Sequence, residues 1–185
     1  MTWRGTVAWW VAAGVLGAYY LVLERRPAPP SELQAKLEKV LDVYSDEVTA
    51  VTLRREGREI RCERKDKRWQ IVEPPGATVP PDVVSALVES LTDKQEAQRI
   101  SDAPKAEDLQ AFGLTASAPK VEFELSGGRK LSVTLGAHNP TQTAIYVRSS
   151  VAPRVLLVGV NVQYYTDLLY GAGVAATKSV AAKQN

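Results

Sequence analysis

The chain is short of the residues that do most protein chemistry. In 185 residues it has one cysteine, one histidine and one methionine. Cys62 alone excludes an internal disulfide and is silent about redox compartment. His138 alone rules out histidine-rich metal sites and leaves almost no material for a histidine-based triad. Charge is scarce in the net: 23 basic against 21 acidic residues leave +2, without the basic footprint of a nucleic-acid binder. No phosphate-cradling glycine loop, metal-ligand spacing or nucleophile elbow occurs. These shortages point away from catalysis, so no catalytic residue, cofactor or metal ligand is assigned and no nucleic-acid partner is expected.

What the chain does have is a long uncharged run near its start. Thr6 to Leu23 reads TVAWWVAAGVLGAYYLVL. As a helix it spans about 27 Å, close to the hydrocarbon thickness of a bilayer. Trp9 and Trp10 lie toward one end and Tyr19 and Tyr20 toward the other, where amphipathic rings meet headgroups. A cleaved signal peptide would close on a small-x-small site, whereas this run closes on bulky residues and then Glu24, Arg25 and Arg26. A core helix would be amphipathic, and this run is apolar all round. The expectation is an uncleaved single-span anchor over residues 1–26. Ala13 with Gly17, and Gly14 with Ala18, place small residues four apart on one ridge, which permits close helix–helix approach in the membrane. The count of lysine and arginine on either side leans toward a cytoplasmic domain.

The remaining residues suffice for one domain of ordinary size. Pro27-Ala28-Pro29-Pro30 is a stiff spacer. Ser31 can cap a helix from Glu32 to Tyr44, with Leu33, Leu37, Val40, Leu41 and Tyr44 on one face. Residues 27–47 therefore read as linker plus amphipathic helix, ahead of a soluble domain at 48–171. From Val48 the period becomes two. A turn at Glu56-Gly57 places Leu53 opposite Ile60, Val51 opposite Cys62 and Arg54 opposite Glu59. Continuing round Arg64 to Lys67 puts Trp69 beside Cys62, Ile71 beside Ile60 and Glu63 opposite Arg68, in a three-stranded meander. Glutamates at strand spacing interrupt the basic run from Arg54 to Arg68, as on a solvated sheet face.

Pro80-Pro81-Asp82 opens a helix with Val83, Val84, Leu87, Val88 and Leu91 as its buried stripe. Ala97 to Ile100 adds a short strand, and Ala106 to Phe112 a brief helix closed by Gly113. Lys120 to Leu135 is a hairpin. Pairing Leu125 with Leu131 keeps both apolar faces and demands a three-residue or bulged connection through Gly127 to Arg129. Ile145 to Arg148 and Val155 to Val158 are strands, Asn161 to Tyr170 a closing helix, and 172–185 a flexible tail. The fold class is α+β: an anchor followed by one antiparallel-sheet-rich domain with two or three packed helices.

The most polar loop between strong strands is Leu135-Gly-Ala-His-Asn-Pro-Thr-Gln-Thr143. Its His138 and Asn139 can contact a partner; a turn stabilised by Asn139-Pro140 explains the loop as well. Candidate partner contacts are therefore Trp9, Trp10, Ala13, Gly14, Gly17, Ala18, His138 and Asn139.

Several phrases fall in a recognisable order: Trp69-x-Ile71 before Pro74-Pro75; the helix after Pro81-Asp82; Asp108-Leu109-Gln110-Ala111-Phe112-Gly113-Leu114 with Pro119; and Leu135-Gly136 leading through Asn139-Pro140 to Ile145-Tyr146-Val147-Arg148. With the anchor they resemble an uncharacterised bacterial domain family, a domain of unknown function whose members often sit beside gliding-motility-type ABC transporter genes. The likeness covers Val48 to Leu169. It implies a module anchored in the inner membrane, facing the periplasm and serving other membrane proteins, with no established catalytic residues. Two functions are expected from this. One is a non-enzymatic accessory subunit that meets a membrane complex through its span and its domain. The other is an anchored periplasmic binding module for envelope glycan, peptide or lipid.

Overall fold

The computed structural model describes residues 37–92 and 96–183. Among these residues, nine strands form one antiparallel sheet: β1 (Leu37–Lys39), β2 (Val48–Arg55), β3 (Arg58–Lys65), β4 (Arg68–Glu73), β5 (Glu96–Ser101), β6 (Lys120–Leu125), β7 (Lys130–His138), β8 (Ala144–Ser149) and β9 (Val155–Gly159). Their order across the sheet is β1-β5-β9-β8-β7-β6-β2-β3-β4. Three helices accompany it: α1 (Pro81–Leu91), α2 (Ala106–Ala111) and α3 (Asn161–Lys183). The domain is α+β, as expected. The span expected at Thr6–Leu23 and the proline spacer lie outside the described residues. Among those described, no helix is long and apolar enough to cross a membrane.

Alternation of apolar residues sets the register at the centre. Leu53 pairs with Ile60, Val51 with Cys62 and Arg54 with Glu59 across β2 and β3. Glu56 and Gly57 both take positive φ in the connecting turn, the twist that suits a two-residue hairpin. On its other side β2 pairs with β6, placing Val51 opposite Phe123 and Leu53 opposite Val121. The inner face continues through Val133, Leu135, Ile145, Val147, Leu156 and Val158. α1 and α3 pack on that face and on each other, contributing Val84, Leu87, Val88, Leu91, Val162 and Leu169 to the same core. Residues of this kind stabilise by about 1.5–3 kcal/mol each when fully buried.

Two registers differ from expectation, each by an even step. Trp69 lies opposite Arg64 and Ile71 opposite Cys62, while Glu63 meets Gln70 rather than Arg68. The cause is a tight turn of Asp66 and Lys67, both at positive φ without a glycine, which pairs Lys65 with Arg68. In the second hairpin Leu131 meets Phe123, because Ser126–Gly128 form a three-residue connection and the Leu125 amide donates to the Arg129 carbonyl at 2.9 Å. An even slip leaves every side chain on its own face, so the core is unchanged.

Two elements replace what periodicity suggested. Where the helix to Tyr44 was expected, Leu37–Lys39 is an edge strand paired with β5, and Val40 to Glu47 is an irregular strap ending in a 3-10 turn. Of the expected stripe, Leu33 lies outside the described residues, Tyr44 at 63 % exposure and Leu37 at 38 % stand out of the core, and Val40 and Leu41 are buried, as is Val43. The sheet thus begins at Leu37, ahead of the domain start expected at Val48. At the other end, α3 continues through the tail expected to be flexible and reaches Lys183. Gly173 lets it lie close against β3, because a Cβ there would sit 2.6 Å from Ile60 Cγ1.

The strap also bounds the sheet's curvature. It links the first strand position to the seventh, a flat distance of six spacings or about 29 Å. Six extended steps and the three of the 3-10 turn, at about 2.0 Å each, reach only about 27 Å. The sheet must therefore curl around α1 and α3.

Candidate interaction surface

The loop between β7 and β8 is built by one side chain. Asn139 Oδ1 accepts from the amides of Thr143 at 3.0 Å and Ala144 at 3.2 Å, and its Nδ2 donates to Thr141 Oγ1 at 2.8 Å. The Asn139 amide donates to the Ala144 carbonyl, and Gln142 takes φ +61° to close the turn. Asparagine supplies both a donor and an acceptor here, which is how such residues organise turns. His138 ends β7 opposite Ile145, half-buried.

This loop is tied to the start of α3: the Val160 amide donates to the Thr143 carbonyl at 3.2 Å. From there Val162, Thr166, Leu169, Gly173 and Ala176 turn inward. Val160, Tyr164 and Leu168, four apart, turn outward with 40 %, 60 % and 39 % exposure. The Tyr164 ring meets the half-buried Tyr165 ring edge-on at 5.7 Å. The result is a polar loop held rigidly beside a row of exposed apolar side chains.

One turn further along α3, Asp167 and Tyr170 hold the β2–β3 turn. Arg55 donates to Asp167 and its guanidinium stacks 4.7 Å from the centre of the Tyr170 ring. The Tyr170 hydroxyl donates to Glu56 Oε2 at 2.9 Å. The hydrogen bond from Tyr170, and secondarily that from Arg55, lowers the Glu56 pKa, and Glu56 in turn raises that of Tyr170. Asp167 raises the Arg55 pKa further. Arg55, Gln163 and Asp167 line a small cleft of about 80 Å³ with Leu135, Gly136 and Ile145. Carboxylates paired this closely with cations are poor proton shuttles, and the cluster reads as a clamp between α3 and the hairpin.

The opposite face of the sheet is mostly charged. Arg54 bridges Glu59 and Glu122, each at 3.0 Å, and Arg61 bridges Glu63 and Glu124. At the Gly136 end of β7 this face is covered instead by the C-terminal cap of α2. Gly113 at φ +69° caps α2, with the Leu114 amide donating to the Leu109 carbonyl at 2.8 Å. Phe112 then stacks on Tyr146 at 4.4 Å between ring centres. The Phe112 carbonyl accepts from the Ala137 amide, directly above Gly136. These aromatic and glycine residues pack against one another. Among the described residues no group of three or more His, Cys, Asp or Glu is placed to hold a metal ion.

Of the contacts expected from sequence, His138 and Asn139 fall on this surface, with Asn139 shaping it from within. Trp9, Trp10, Ala13, Gly14, Gly17 and Ala18 lie outside the described residues. Val160, Tyr164 and Leu168 escaped the sequence, where they are simply apolar residues at the start of a helix.

A family profile described as Domain of unknown function (DUF4340) matches residues 69–169. The chain belongs to this family. The DUF4340 region runs from Trp69 in β4 to Leu169 in α3, so it includes the Asn139 loop and the exposed row on α3. It begins later than the likeness at Val48, leaving β1, β2 and β3 ahead of it although β2 and β3 are interior to the sheet. Neither the curated proteins nor the solved structures contain a match to the chain.

Proposed function

We propose that this chain is a non-enzymatic, single-pass accessory subunit of a bacterial inner-membrane complex, with its DUF4340 domain docking on the periplasmic side. The observation that carries this reading is the row Val160, Tyr164 and Leu168 beside the Asn139 loop: apolar anchors with a rigid polar border, the composition of a docking patch. The uncharged run Thr6–Leu23 supports the membrane part, with Trp9 and Trp10 at the lipid interface. Ala13, Gly14, Gly17 and Ala18 serve as a packing ridge for partner helices. The resemblance that the sequence carries favours an ABC transporter as the complex served.

The test is gentle solubilisation of native membranes with a tagged chain carrying a photo-crosslinking residue at position 164. A membrane protein that co-purifies in fixed ratio and crosslinks from that position is the expected result. A chain that comes out alone, with no crosslink in intact membranes, refutes the proposal. Tyr164→Asp should release the partner while leaving the fold intact, because the side chain is exposed.

A further inference from the structure

A second feature lies on the sheet face away from α1 and α3, and it is independent of the docking patch. Lys120, Thr134 and Arg148 sit side by side on β6, β7 and β8, since Thr134 pairs with both cationic residues. Together with Ser132, Ser149 and Ser150 they line a cleft of about 450 Å³ that contains no carboxylate. On β2 and β3 of this face two arginines are spent on glutamates: Arg54 on Glu59 and Glu122, Arg61 on Glu63 and Glu124. Arg148 differs. It is half-buried and, among the described residues, forms no ion pair. Lys120 meets Glu122 at 3.5 Å, and Glu122 already accepts from Arg54 at 3.0 Å.

The hydroxyls are arranged as donors. Ser150 Oγ accepts from the Ser132 amide at 2.9 Å and Ser149 Oγ accepts from the Val151 amide at 3.1 Å, so both hydroxyl protons remain available. A half-buried guanidinium without a counter-charge is unfavourable unless something anionic reaches it. We propose that this cleft binds an oxyanion of the phosphate type. The Arg148 fork takes two oxygens, Lys120 a third, and the serine and threonine hydroxyls complete the shell. The two cations lie two strand spacings apart, about 10 Å at the backbone. Both side chains line the same cleft, and two cations at that spacing suit a tetrahedral oxyanion with three free oxygens rather than a carboxylate with two.

The test is calorimetric titration of the purified full chain in neutral detergent, using inorganic phosphate and monomeric dihexanoyl phosphatidic acid, whose phosphomonoester keeps three free oxygens, as probes and acetate as the comparison. Saturable binding of inorganic phosphate that acetate does not match identifies a soluble phosphate site. Binding of the short-chain lipid that inorganic phosphate displaces identifies a headgroup site. In either case Arg148→Gln and Lys120→Gln should weaken binding about tenfold or more. Arg61→Gln, on the same face but engaged by Glu63 and Glu124, should leave it within about twofold. Circular dichroism of each variant shows that the fold is kept. No saturable binding of either phosphate probe, acetate binding as well as phosphate does, or a folded Arg148→Gln variant that binds like the parent overturns the proposal.

Discussion

Gly136 and Cys62 show how single atoms constrain this domain. A Cβ on Gly136 would meet the Phe112 carbonyl at 2.3 Å and Leu114 at 3.1 Å. The carbonyl is backbone, already held by the Ala137 amide, and cannot rotate aside. Gly136→Ala should therefore destabilise the chain by about 2 kcal/mol, the usual size of an overpacking penalty, as read by urea unfolding. Gly127→Ala, with nothing within 4 Å of its would-be Cβ, is the matched control and should change little. Cys62 is fully buried between β2 and β4, and burial pushes its thiol pKa up to about 12. At neutral pH the thiolate is suppressed, so a thiol reagent should label the native chain only at the rate of unfolding, and promptly in denaturant. Prompt labelling of the folded chain would contradict the packing described.

Elements are held to one another by few, identifiable contacts. The clamp from α3 to the β2–β3 turn rests on Tyr170, Glu56, Arg55 and Asp167. Glu56 has its pKa lowered from 4.5, so its contribution is present above that value and is lost as pH falls through the lowered one. Tyr170 has its pKa raised from 10.0, so its contribution is present below that value and is lost as pH rises through the raised one. The clamp is thus intact across the neutral range and released at both extremes. Tyr170→Phe should flatten the melting temperature against pH on both flanks, which a thermal scan from about pH 3 to 11 measures. These groups are solvent-exposed, so the effect is one of shape across pH more than of size at neutrality.

The same elements show what the sequence could convey. Where partners are neighbours in sequence, alternation alone fixed Leu53 on Ile60 and Val51 on Cys62, and Asn139-Pro140 marked a real turn. Where partners are remote, local pattern misled. Leu37 to Tyr44 has helical spacing, yet Leu37–Lys39 pair as a strand with Gln98 and its neighbours on β5. The alanine- and glycine-rich end of α3 looks like a frayed tail until Gly173 meets Ile60. Sites suffered likewise. Lys120 and Arg148 become neighbours only through Thr134 on the strand between them, and the outward turn of Tyr164 depends on which side of α3 the sheet takes.

At the scale of the whole molecule, one curled sheet with a single core leaves no described part of the chain before β2 dispensable. Val40, Leu41 and Val43 are all buried, and at about 1.5–3 kcal/mol each they amount to a large share of a typical domain's stability of about 5–15 kcal/mol. Deleting residues 37–47 should therefore cost most of the folding free energy and uncover the edge of β5, giving a chain that melts far lower and aggregates. Light scattering and a thermal melt on the deleted and full-length chains decide it. Were residues 27–47 only a linker, the deletion would leave the melt unchanged.

That same edge carries a mechanical meaning. The described domain starts at β1, which has three residue pairs with β5 and is held further by Glu38, paired with Arg99 at 3.0 Å and Arg154 at 2.6 Å. Behind it comes a strap whose buried side chains and carbonyls, accepting from Arg64 and from the Ser126 amide, grip far more firmly. Tension applied at Leu37 would thus strip β1 first, releasing a few residues of slack while β2 to β9 keep their register. The domain carries a fuse at its seam, able to yield slack before it yields structure.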